Sequence, residues 1–139
     1  MGPPRFTDGP LKGFVALTRE RIELGQLGEA LALKKIKGLG YKCIVRNYRC
    51  PLGEVDLIAK DGKTLVFVEI KTRRRKSLGY AKEAITERKK RQLSKVALAY
   101  MKANDCSHMK SRFDVVAINI INGKSEIEVI RNAFDLAYE

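Results

Sequence analysis

Histidine is nearly absent from this chain: His108 is the only one, and tryptophan is missing altogether. Nuclease chemistry in which two imidazoles trade a proton is excluded by that count. Three cysteines, Cys43, Cys50 and Cys106, show no CxxC spacing, so no structural zinc site is expected. Their odd number cannot pair completely within the chain, and free thiols suit a reducing cytoplasm. Long apolar runs are lacking too, with nothing near the roughly 18 residues of a membrane span. The opening MGPPRFTDGPLKGF has no apolar core, which predicts no secretory leader. A cytoplasmic protein without a membrane partner is the expectation. Proline is scarce, and three of the four prolines fall within the first 17 residues. Residues 1–17 are therefore expected to form a mobile arm, and 18–139 a single domain.

What the chain has in excess is positive charge: 28 Lys/Arg against 16 Asp/Glu, a formal net of +12. Such an imbalance favours a polyanionic partner, nucleic acid before an anionic membrane.

Periodicity predicts a helix from Thr18, with Leu24, Leu27, Leu31, Ala32 and Ile36 as its apolar stripe and Gly38 and Gly40 as its stop. Glu29 falls at the border of that stripe. A short strand over roughly 42–47 follows, then two strands turning at Asp61-Gly62, a pair favoured in type I′ turns. Residues 86–103 read as a second helix, because Leu93, Val96, Ala97 and Tyr100 recur at helical spacing. RFDVVAINII and residues 126–130 read as two further strands around Asn122-Gly123. The order is α-β-β-β-α-β-β, an α/β or α+β domain with a mixed sheet.

The hairpin GEVDLIAKDGKTLVFVEIK carries acids inside apolar runs. If Asp61 and Gly62 alone make the turn, Glu54 lies opposite Glu69 and Asp56 opposite Phe67. Alternation then puts Glu54, Asp56, Ile58, Leu65, Phe67, Glu69 and Lys71 on one face. Val55, Leu57, Val66, Val68 and Ile70 form a wholly apolar face behind. Asp56 and Glu69 become diagonal neighbours, about 7–8 Å apart at Cα. Three facing carboxylates near a core repel one another, and unpaired burial costs several kcal/mol. Lys71 offsets one charge, and a hard divalent ion, Mg²⁺ or Mn²⁺, completes the balance with oxygen ligands. Acids at strand ends are more often solvated or paired with surface lysines; the shared face, the apolar setting and the basic surroundings shift the weight toward a site.

KTRRRK stands at 71–76, just beyond Glu69, and RKKR stands at 88–91. Eleven Lys/Arg against Glu83 and Glu87 lie between Lys71 and Lys95, a local net of +9. Arg73, Arg74, Arg75, Lys76, Lys89, Lys90 and Arg91 are the candidates for gripping a phosphate backbone. Only Tyr80 and Tyr100 lie among them, which favours backbone contact over base stacking. Gly62-Lys63-Thr64 mimics the end of a P-loop, but Leu57 stands where its first glycine belongs.

GEVDLIA followed by TLVFVEIKTR resembles the signature of the PD-(D/E)xK nuclease superfamily, which has the restriction-endonuclease-like fold. With GQLGEALALKKIKGLGYKCIVRNYR, Lys89 and RFDVVAI, the chain more closely resembles the bacterial YraN-like family, related to archaeal Holliday-junction resolvases. That resemblance implies a central mixed sheet flanked by helices. It implies a metal-dependent endonuclease acting on duplex or branched DNA. Asp56 and Glu69 would hold Mg²⁺ or Mn²⁺, with the Ile70 carbonyl as third ligand. Lys71 would orient the attacking water, Glu29 would hold a second ion or a water, and Glu54 would be auxiliary. Val55 stands where the superfamily often has proline. The rival is a nucleic-acid-binding protein on the same fold with little or no cleavage. Two symmetric cuts in a four-way junction would further suggest a homodimer.

Overall fold

The structure is a computed structural model. It describes residues 11–74 and 85–136, with side chains described from Arg19 onward. Seven elements follow in order: α1 (Leu11–Gly38), β1 (Lys42–Cys50), β2 (Gly53–Asp61), β3 (Thr64–Arg74), α2 (Glu87–Ala103), β4 (Ser111–Ile121) and β5 (Lys124–Phe134). The five strands form one sheet in sequence order. Only β3 and β4 pair in parallel, because α2 carries the chain between them; the other neighbours are antiparallel. The expected α/β order and mixed sheet are both present. No helix among the described residues is long and apolar enough to cross a membrane.

The helices cover opposite faces of the sheet. Ala32 and Ile36 of α1 are buried over Leu57, Val66, Val68, Val116 and Ile118. Leu93, Val96, Ala97 and Tyr100 of α2 are buried over Ile58, Leu65, Phe67 and Phe113. Burying both faces fits the near-continuous apolar runs of β3 and β4 at the centre. The α2 stripe is the expected one, and Thr86 caps that helix by accepting the Lys89 N–H at 3.1 Å.

Helix α1 starts at Leu11, so its backbone takes in residues 11–17 of the expected arm, and Thr18 lies inside the helix. Residues 1–10 lie outside the described residues. Leu27, placed in the apolar stripe by periodicity, is 48% exposed. The close approach of α1 to the sheet occurs instead through Gly28. A Cβ there would stand 1.8 Å from Thr72 Oγ1 on β3, so only glycine lets this turn of the helix sit down.

The β2–β3 turn also differs from expectation. Asp61 pairs with Thr64, and Gly62 and Lys63 make the turn. Gly62 has a φ of +62° at the first central position, the type II′ pattern. Asp61 is retained in the strand by Arg112 of β4, whose Nη2 donates to Asp61 Oδ2 at 2.8 Å. Arg112 also donates to Asp114, which is 1% exposed and accepts from the Tyr41 hydroxyl and the Asn132 N–H. This network joins the end of α1 to three strands. At the other hairpin, Asn122 (φ 50°) and Gly123 (φ 75°) form the expected turn.

Candidate active site

Moving the turn by one residue changes which acids meet. The β2–β3 ladder runs from Asp61/Thr64 to Leu57/Val68, and one further step brings Asp56 opposite Glu69. By that register they stand opposite each other and not diagonally, one step past the last paired residues, Leu57 and Val68.

The sheet is irregular at this point. Val55 packs with Ile58 on the α2 side, whereas Leu57 between them packs on the α1 side. Opposite, Arg46 reaches Glu29 of α1, while Tyr48 stacks edge-on against Tyr100 of α2. Between those two residues Asn47 takes a φ of +53°, the left-handed region that asparagine tolerates. Both strands therefore reverse sides at Asn47 and Asp56. The Asp56 carboxylate turns to β3, where its Oδ2 accepts the Ile70 N–H at 2.7 Å.

Glu69 is 6% exposed and its carboxyl meets that of Asp56. Burial, and then the Asp56 charge, push Glu69 up to about 8, and a hydrogen bond to Asp56 adds to the rise. Lys89 and Lys71 pull in the other direction. Lys89 reaches over from α2, with Nζ 3.5 Å from Glu69 Oε2, and at that separation it offsets only part of the desolvation. At neutral pH Glu69 accordingly keeps its proton.

Asp56, Ile70, Lys71 and Glu29 line one cleft of about 520 Å³ between α1 and the end of β3. Glu29 is on its wall but is engaged elsewhere, bonded by Arg46 Nη2 at 2.6 Å. Among the described residues, no three His, Cys, Asp or Glu side chains are gathered closely enough to hold a metal together. The expected third acid is near the pair without joining it. Glu54 is not on the shared face, because the reversal at Asp56 gives the α2 side to Val55. Glu54 pairs instead with Arg49 at 3.0 Å and is more than half exposed.

Of the expected backbone grip, Arg73 is half-buried and Arg74 exposed at the end of β3. Arg75 and Lys76 lie outside the described residues, as do Tyr80 and Glu83. Lys89 belongs to the acid pair. Lys90 turns to Glu87 at 3.2 Å and lies over the Phe134 ring. Arg91 lines a second cleft beside α2. His108 is exposed in a loop, as its position suggested.

Two supports of the site escaped sequence reasoning. One is Gly28, whose signal was available: a glycine inside a helix is unfavourable and asks for a packing reason. The other is Lys89 as the ammonium nearest Glu69, which only the tertiary docking of α2 makes visible.

Residues 28–118, spanning α1 to β4 and every acid and lysine of this cleft, match the model of "Uncharacterised protein family UPF0102". The chain belongs to that family. A UPF0102 protein of Geotalea daltonii is 47% identical over 116 residues, 83% of this chain and 91% of its own length. A UPF0102 protein of Geobacter sulfurreducens is 50% identical over the same shares. One from Caldicellulosiruptor saccharolyticus is 47% identical over 114 residues, 81% of this chain and 97% of its own. The expected YraN-like relationship is thereby supported, and membership in UPF0102 carries no named activity.

Proposed function

We propose that this UPF0102 protein is a metal-dependent endonuclease that hydrolyses phosphodiester bonds in duplex or branched DNA. The observation that carries the reading is the meeting of buried Glu69 with Asp56, which itself lines a cleft together with Lys71. The side chains of Asp56 and Glu69 offer carboxyl oxygen donors to a hard cation, so the donor set fits Mg²⁺ or Mn²⁺. Asp56 and Glu69 would hold the ion, with the Ile70 carbonyl beside them. When bound, it supplies Lewis-acid polarisation of the phosphodiester and activation of water.

The chain's own groups do the rest. The Ile70 N–H fixes the Asp56 carboxylate. The Lys71 ammonium offsets charge that accumulates on phosphate oxygens as the bond breaks. Lys89 holds Glu69 in place from α2. Glu29 lines the same cleft as Asp56 and would contribute a further ligand only after leaving Arg46 and moving toward the pair, which starts with breaking one exposed ion pair. Cutting a four-way junction in two strands takes two such sites, so a homodimer follows for that substrate.

Incubation with duplex, flap and four-way DNA in Mg²⁺ and in Mn²⁺ tests the reading. Cleavage should occur, and Asp56→Ala and Lys71→Ala should each reduce it by about 10²-fold or more. DNA binding without cleavage in either metal, unchanged by Asp56→Ala, would leave only a nucleic-acid-binding protein on a nuclease fold.

A further inference from the structure

The β1–β2 turn and the first half of α2 enclose a second cleft of about 540 Å³, on the far side of Lys89 from the acid pair. Arg88, Lys89, Arg91 and Lys95 line it, and no acid does. With Lys89 committed to Glu69, three cations remain for a ligand. Arg88, Arg91 and Lys95 recur at i, i+3 and i+7, one stripe of α2 lying away from the buried Leu93–Val96–Tyr100 stripe. The row from Arg88 to Lys95 is about 10 Å long, the axial length of about three phosphates of one strand. The opposite wall is fixed in place. Gly53 has a φ of +142°, and a Cβ there would lie 2.7 Å from the Gln92 amide nitrogen, so the turn is seated directly on α2. Leu52, 51% exposed on that turn, gives the cleft an apolar lip for a sugar to rest on.

We infer that this cleft is a backbone-binding groove of the protein, in which Arg88, Arg91 and Lys95 take consecutive phosphates of one nucleic-acid strand while Lys89 joins the groove to the Asp56–Glu69 pair. It rests on the nuclease reading for the identity of the polyanion, and on the groove's own geometry for its place. An anionic membrane is a poorer match, since among the described residues Leu52 is the single large apolar side chain lining the cleft.

Fluorescence anisotropy with labelled duplex and four-way DNA in EDTA tests the groove apart from any chemistry. Arg88→Gln/Lys95→Gln removes two groove charges. Lys60→Gln/Lys63→Gln removes two exposed charges at the opposite end of β2, matched in number. The groove variant should bind about tenfold more weakly and flatten the plot of log affinity against log salt by about 2, while the control changes less than about twofold. Equal weakening by both variants, an unaffected groove variant, or no binding by the native chain would each overturn the inference. Cleavage by the native chain alongside normal binding by the groove variant would sink the groove and leave the nuclease. A groove effect with no metal-dependent cleavage would sink the nuclease and leave the groove.

Discussion

At the scale of single residues, the site depends on a carboxyl kept where water does not reach. Glu69 is raised from 4.5 to about 8, chiefly by burial and then by Asp56. Between those values the folded chain keeps a proton that the unfolded chain has released. The stability tied to that proton is complete below about pH 4.5 and is lost as pH rises through 8. In metal-free protein the unfolding free energy from urea titrations should therefore fall from pH 5 to pH 8.5, by on the order of a few kcal/mol at most, and Glu69→Gln should flatten the profile. Asp114 tests a different burial. It is 1% exposed and holds Arg112, Tyr41 and the Asn132 N–H. Arg112→Met removes its ion-pair partner while keeping bulk, and should cost about 3–5 kcal/mol in chemical denaturation. Asp61, losing the same partner at a half-exposed turn, adds little.

Among the elements, α1 reaches the cleft only because its backbone can touch β3. Gly28→Ala would drive a methyl into Thr72, 1.8 Å from Oγ1. The expected cost is about 1–3 kcal/mol by thermal unfolding, partly recovered in Gly28→Ala/Thr72→Ala, so that the two changes couple in a double-mutant cycle. Much at this scale was legible beforehand. Thr86 and the 93–96–97–100 stripe marked α2, and Asn122-Gly123 marked the last hairpin, because those signals are local and nothing distant opposes them. Where a distant partner decides, the reading failed. Asp61-Gly62 has strong turn chemistry, yet Arg112, 51 residues away, holds Asp61 in the strand, and the turn moves to Gly62-Lys63. Asp56 and Glu69 still met because the shifted register brings them level and the Asp56 carboxylate turns to β3. Glu54 did not join them, since the reversal opposite Asn47 depends on a backbone conformation that no sequence period reports.

Across the whole molecule, the +12 charge is unevenly used. Some cations are spent on internal partners, as Arg112, Arg46 and Lys90 are, and others line the cleft beside α2. With about three phosphates engaged in that cleft, DNA affinity should fall about fortyfold between 50 and 200 mM salt, read by anisotropy. Asp56 faces the cleft at α1, and Glu69 beside it takes the lysine of α2, so both helices converge on the same pair. That convergence makes an ion between Asp56 and Glu69 the claim on which hydrolysis depends. Anomalous diffraction from crystals soaked in Mn²⁺ addresses it most directly. A peak within coordination distance of both carboxylates, lost in Asp56→Ala, is the predicted result; density that stays empty there at millimolar Mn²⁺ and pH above 8 would contradict it.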